Sequence, residues 1–475
     1  MKKLNKIRLF VSALLPCLCF FTPAGANDST KILSQETFLQ IVKKYNPAAK
    51  LAAIGIEKAQ ASLISSRSGF DPLIVGGSNE KTFDGINYYR SNGVQLNIPS
   101  WYGIEVQTGI EYLSGNRTDP METAGKTSFT GISIPLAKNL LMDKRRATLL
   151  QAKIMVQASE QEKRNMLNDI LLEAAEAYWQ WVQSYLVYKT YINVIEVNKK
   201  RLALVTIAFQ NGERPAIDTT EALTQLQQFE YLQNDALLDF KNATVVLSGF
   251  LWKENDQPYD LPGDVWPGKR TEELFDAVNF PELEKIIDDA KQNHPLLNLY
   301  TYKLKSLHLE KKLKFQELLP KLDLKYNQLS KGFDIASVTT KNLFENNYRF
   351  AISFNMPLRI SQGRGEYKMA KIKITETKLQ QSLKEINITN KVKSYYNQLV
   401  NYRMQVSLLQ KTYTNYLRLQ KGEETRFFNG ESNLFLVNNR ENKTLETFVK
   451  LVEVAVKYNK SSVTLQWAAG RLWEY

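Results

Sequence analysis

Cysteine is nearly missing from this chain of 475 residues, which has only Cys17 and Cys19, both near its start. Residues 1–26 read as a secretory signal. Lys2, Lys3, Lys6 and Arg8 precede an apolar stretch at 9–21, too short to cross a bilayer, and Ala24, Gly25 and Ala26 supply a small-residue cleavage pattern. Cleavage after Ala26 leaves a chain that begins at Asn27 without cysteine, which excludes disulfides and thiolate metal sites. Cys17 follows Pro16, a poor fit to a lipid-attachment site. Histidine is equally scarce. His294 and His308 have no ligand or nucleophile constellation around them, and His294, directly before Pro295 at a helix start, reads as structural. P-loop, HExxH, GxSxG and GxGxxG patterns are absent, so no catalytic residue, cofactor or metal is expected and the chain does not read as an enzyme. Past the signal there is no run of 18 apolar residues, hence no expected transmembrane helix.

Glycine and proline are absent from 147–208 and from 216–248. Unbroken helices over these spans would be about 93 Å and about 50 Å long. The net charge of +13 falls to +9 once residues 1–26 are removed. Those positive charges are dispersed along helices, which fits a solvated coiled-coil face rather than nucleic-acid binding.

What the chain does contain is a duplication. Phe209, Gln210, Asn211, Gly212 and Glu213 recur 218 residues later as Phe427, Phe428, Asn429, Gly430 and Glu431. Upstream of the second copy, Ile388, Val392, Tyr395, Leu399, Tyr402, Val406, Leu409, Tyr413 and Tyr416 follow unbroken 4-3 spacing. The same offset gives Ile170, Ala174, Ala177, Trp181, Ser184, Tyr188, Tyr191, Ile195 and Asn198, of which only Ser184 and Asn198 are neither apolar nor aromatic. Such a seam predicts a coiled-coil helix present twice, each copy ending in the same tip.

The inbound helices are duplicated too. Asn46 and Pro47 open one and His294 and Pro295 the other, and they stop by Pro72 and Pro320, both pairs 248 residues apart. Beyond each stop the period changes to two. Leu322, Leu324 and Tyr326 alternate with polar residues, as do Tyr348, Phe350, Ile352, Phe354 and Met356. In the first half, Ile132, Ile134 and Leu136 match the second of these. An additional hairpin at 93–113 is carried by Val94, Leu96 and Ile98 and by Ile104, Val106, Ile110 and Tyr112. Alternation of this kind marks either a strand between lipid and water or a half-buried periplasmic sheet. The hairpin is expected to lie with the sheet. The polar segment 114–126 reads as a loop. Between the halves, residues 249–283 hold Gly249, Pro258, Pro262, Gly263, Pro267, Gly268 and Pro281, which read as a mixed belt near the middle of a rod. By length alone, the return helix 216–248 and the inbound helix 296–319 would stack end to end beside the long helix.

With these features the mature chain resembles the TolC-like outer-membrane efflux proteins over essentially its whole length. The first tip (Asn211, Gly212, Glu213, Arg214 and Asp218) matches that family's Gly followed six residues later by Asp. The second (Asn429, Gly430, Glu431 and Ser432) departs from it, with Leu436 at the Asp position. The resemblance implies an α+β fold of two helix–strand–strand–helix repeats, with a long α-helical coiled-coil barrel and an antiparallel transmembrane β-barrel completed by a homotrimer. The divisions expected are a signal at 1–26, a first repeat at 27–250, an equatorial mixed segment at 251–283 and a second repeat at 284–475. In the first repeat, strands fall at about 73–136 and the helical hairpin at about 147–248, with its tip near 209–218. In the second they fall at about 321–357 and 366–469, with a tip near 427–436. The implied function is a passive exit duct in the outer membrane for efflux or type I secretion. Its partners would be outer-membrane lipid, an inner-membrane pump and a periplasmic adaptor docked on the tip residues named above. A non-conducting periplasmic coiled-coil scaffold is the alternative.

Overall fold

Asn46 and His294 cap the helices that follow them. The Asn46 Oδ1 accepts from the Ala48 N–H at 2.9 Å, and the His294 Nδ1 accepts from the Leu296 N–H at 3.1 Å. Each is followed by proline at the first helical position, where a missing N–H leaves nothing unsatisfied. These observations come from a computed structural model, which describes residues 31–119, 122–268, 274, 281–340 and 346–475. The expected signal lies outside the described residues.

The order of elements is β1 (Lys31–Leu33), α1 (Gln35–Tyr45), α2 (Pro47–Ser66), β2 (Leu73–Phe83), β3 (Ile86–Pro99), β4 (Glu105–Ser114), β5 (Gly125–Pro135), α3 (Lys144–Gln210) and α4 (Ala216–Ser248). The chain continues through β6 (Val265–Pro267), α5 (Leu283–Asn293), α6 (Pro295–Gln316), β7 (Lys321–Lys331), α7 (Ile335–Thr340), β8 (Tyr348–Asn355), α8 (Ser361–Phe428) and α9 (Leu434–Ala468). At 67 and 68 residues, α3 and α8 are each about 100 Å long. The Asp143 side chain caps α3 by accepting from the Arg146 N–H, so this helix begins at Lys144, three residues before the start expected at 147.

The seam residues pack as their spacing predicts. Trp181, Val392, Leu399 and Val406 are buried, and Tyr395, Tyr402, Leu409 and Tyr413 are half-buried against the same core. The two polar seam positions are buried with partners. The Ser184 hydroxyl donates to the Trp181 carbonyl, and the Asn198 amide donates to Glu441 at 3.2 Å.

One expectation is corrected. The return helix α4 does not continue into the inbound helix of the second half. Its end meets the start of α2, where the Asn46 amide donates to the Phe250 carbonyl at 3.2 Å and Lys50 pairs with Asp256 at 2.6 Å. The end of α9 likewise meets the start of α6, with Gly470 against His294 and Pro295. Return and inbound helices therefore stack within each half, α4 with α2 along α3 and α9 with α6 along α8. Helix lengths alone were compatible with either pairing, and the capping contacts select this one.

The belt is wider than residues 249–283. β1 pairs in parallel with β6, α1 and the turn at Leu472–Glu474 join it on α3, and α5 packs on α8. Phe38, Leu39, Tyr178, Trp179, Leu247 and Leu472 are nearly inaccessible there, and the Tyr178 hydroxyl donates to the Leu33 carbonyl.

At one end of the helices lies a six-stranded antiparallel sheet in the order β2-β3-β4-β5-β7-β8. The hairpin expected at 93–113 lies within it, formed by β3 and β4. β5 and β7 join the two halves, with Ile132 beside Tyr326. Apolar residues share one face across five strands, where Ile98, Val106, Ile132, Tyr326 and Phe350 form one row. The next row on the opposite face reads Asn97, Gln107, Gly131, Asn327 and Arg349. On that polar face the Gln107 amide reaches Asn327 over Gly131, and Arg349 reaches Glu111 at 3.4 Å.

Candidate partner-binding site at the helical tips

Both long helices end in the same hydrogen-bonded turn. In the first, Gly212 N–H donates to the Phe209 carbonyl and Glu213 N–H to the Ala208 carbonyl, each at 2.9 Å. In the second, Gly430 N–H donates to Phe427 at 3.1 Å and Glu431 N–H to Arg426 at 2.8 Å. These are paired Schellman bonds, which require a left-handed residue after the cap. Gly212 and Gly430 supply it with φ of +75° and +80°. Asn211 and Asn429 are the cap residues before them.

The returning helices begin differently. Asn433 caps α9 by accepting from the Leu436 N–H at 3.0 Å. At the matching position of α4 stands Pro215, which has no side-chain cap bond. Asp218, in the first turn of α4, pairs with Arg214 at 3.5 Å.

The two tips lie side by side. Arg214 donates to the Phe427 carbonyl at 3.0 Å, and its guanidinium sits 4.0 Å from the Phe427 ring centroid. Phe427 is buried with Ala222, Leu434 and Val437. Behind it, Arg201 pairs with the buried Glu441 at 2.7 Å and with Glu424 at 3.4 Å. Asn438 donates to Glu221, whose carboxyl is held above its ordinary range, first by burial and then by the nearby Asp218 charge.

The nine residues singled out in the sequence thus divide into two sets. Asn211, Gly212, Glu213, Asn429, Gly430 and Glu431 are exposed at the end of the body. Arg214 and Asp218 are turned inward onto the neighbouring tip, and the Ser432 hydroxyl donates to the buried Glu423. Sequence reasoning missed the exposed apolar side chains beside them: Phe209, Ile217, Phe428 and Phe435. Phe428 and Phe435 fall outside the 4-3 seam, which is the signal that could have marked them. Among the described residues there is no acidic, histidine or cysteine cluster able to hold a metal ion, and no helix long and apolar enough to cross a membrane.

A duplicated helical body about 100 Å long, with both tips at one end and a single antiparallel sheet at the other, defines a class of elongated two-repeat proteins. It is the fold of bacterial outer-membrane channels. The chain is similar to the Neisseria gonorrhoeae MtrE outer membrane channel, with a TM-score of 0.66 at 14% identity over 92% of this chain and 89% of that one. The Campylobacter jejuni CmeC outer membrane channel gives 0.62 at 16% identity over 92% and 86%. The Vibrio cholerae outer membrane protein VceC gives 0.62 at 12% identity over 92% and 96%. No protein-family model matches the chain, and no curated protein matches it in sequence. The resemblance read from the sequence therefore holds at the level of the fold.

Proposed function

We propose that the chain is the outer-membrane exit duct of an efflux or type I secretion system, a passive conduit of three copies. An inner-membrane pump would drive export, and a periplasmic adaptor would join that pump to the helical tips. The observation that carries this reading is the two-faced sheet at one end of a body about 100 Å long, set in the fold of outer-membrane channels. A sheet with an apolar face and two open edges leaves backbone groups unpaired in lipid, so a membrane setting demands closure by further copies. The exposed rim of Asn211, Glu213, Asn429 and Glu431, with Phe209, Ile217, Phe428 and Phe435 beside it, offers an adaptor both apolar contact and hydrogen bonding.

Single-channel recording of the purified protein in planar bilayers tests this reading. Discrete conductance steps are expected. A trimer that inserts and stays silent would support the non-conducting scaffold instead.

A further inference from the structure

We propose that the β2 edge of one copy pairs with the β8 edge of the next, so that three copies close an antiparallel barrel of eighteen strands with the β2–β3 hairpin in its wall. This rests on the three-copy reading above and adds which strands meet and how many line the barrel.

The halves of both outer strands nearer the helical body lack the devices that keep a free edge from pairing, and the edge charges Glu80, Lys81 and Arg349 are confined to the far ends. Residues 73–79 of β2 and 350–355 of β8 contain no charged side chain and no proline. β2 is exposed along its whole length, and seven of the eight residues of β8 are exposed. Their directions also suit. β2 runs away from the helical body and β8 runs back toward it, because six strands is an even number. Neighbouring copies therefore present antiparallel edges, as closure of an antiparallel barrel requires.

β3 carries the same facing as the rest of the wall, and β2 adds Ile74 to it before Gly76, Ser78 and Glu80. Ile74, Val94, Leu96 and Ile98 lie on the face that carries Val106, Ile132, Tyr326, Phe350, Ile352 and Phe354. Exposure there is high at Ile74 (72%) and Phe354 (67%), at opposite edges of the sheet. A hairpin packed off the wall would have no reason to continue this lipid-type face in register.

The stagger follows from the strand ends. Along the hydrogen-bonded rows, Ile74 stands level with Tyr348, the first residue of β8, so unstaggered edges would barely overlap. A tilted barrel needs a shear, and about six residues of stagger per copy overlaps all of β8 with β2. That places Gly76 opposite Ile352 on the apolar face and Val75 opposite Ser353 on the polar one. An even stagger keeps both faces intact. Barrel diameter grows roughly with strand number, so this wall is about one and a half times as wide as one built from β4, β5, β7 and β8 alone.

Cysteine pairing in the assembled protein tests the arrangement. Val75→Cys combined with Ser353→Cys, and with Ala351→Cys or Asn355→Cys as register neighbours, is expected to give covalent dimers and trimers on oxidation. Gln107→Cys on β4, combined with Ser353→Cys, is expected to give none. Cross-links between copies from Gln107 and not from Val75 would put the hairpin outside the wall and overturn the proposal, as would a trimer in which neither set links. Electron cryomicroscopy of the unsubstituted trimer gives the strand count directly, and twelve instead of eighteen overturns it as well. A monomer by native mass would remove the three-copy reading itself, and this one with it.

Discussion

Arg214, in the turn between α3 and α4, lies over the ring of Phe427 near the end of α8 and donates to its carbonyl at 3.0 Å. Residues 213 positions apart are joined by one side chain. The two tips are thereby fixed to each other as well as to their own helices.

Replacing Arg214 with alanine removes a cation–π contact and a charge-assisted hydrogen bond, together worth about 1–3 kcal/mol locally. The rest of the body makes no use of that contact, so assembly should persist. Amides at 427–434 are expected to exchange faster by roughly tenfold or more in hydrogen-exchange measurements. Unchanged exchange there would show that the tips do not depend on this link.

Gly430→Val forces a β-branched residue to φ near +80° in a turn where a Cβ meets nothing within 4 Å. The penalty is therefore conformational, about 1–3 kcal/mol. The variant should reach the membrane as a trimer and lose export, while Gly430→Asn, which tolerates the left-handed region, should lose less. Normal export by Gly430→Val cells would mean that the tip is not where an adaptor docks.

His294 is buried as the cap of α6, and burial first, then the charges of Lys384 and Lys391, lower its pKa to about 4. The ordinary value is about 6.5, so the unfolded chain takes up a proton that the folded one refuses. Stability is then unaffected above about pH 6.5 and is lost as pH falls toward 4, by about 3 kcal/mol per chain. His294→Asn copies the cap that Asn46 provides for α2 and should flatten the melting temperature over that window. The same acid slope in both proteins would assign it to other groups.

Gly131 sits in β5 where the strands of the two halves meet. A Cβ there would lie 2.0 Å from the Asn327 Oδ1 and 2.2 Å from the Tyr326 carbonyl oxygen. Gly131→Val should cost about 3 kcal/mol or more through overpacking and abolish the trimer expected by native mass in mild detergent. Gly77→Ala in β2, with open space at its Cβ, should retain that trimer. Equal trimer yields would mean that the β5–β7 junction yields to the added side chain.

The helical half of this fold was legible because its signals are local and repeated. Two glycines at matching offset, two Asx- or His-Pro starts and an unbroken 4-3 seam each carry their own physical reason. β2 was harder, because Gly76 and Gly77 followed by Ser78, Asn79, Glu80 and Lys81 break the alternation, and only pairing with β3 makes the segment a strand. β1 and the turn at Leu472–Glu474 belong to the belt through contacts with distant residues, which no local pattern announces. The same holds at the tips. Gly212 and Gly430 marked the two tips by type and spacing, whereas the inward turn of Arg214 depends on where Phe427 comes to rest.

The duplication is complete in the helices and incomplete in the sheet, four strands against two. Because α2 hands over to β2 and β5 returns the chain to α3 on the same side, strands enter this sheet only in pairs. A pair can be gained or lost without turning any helix around. The helical body, which sets length, and the sheet, whose strand number sets its width, are thus separate dimensions of one scaffold, each free to change while the other stays as it is.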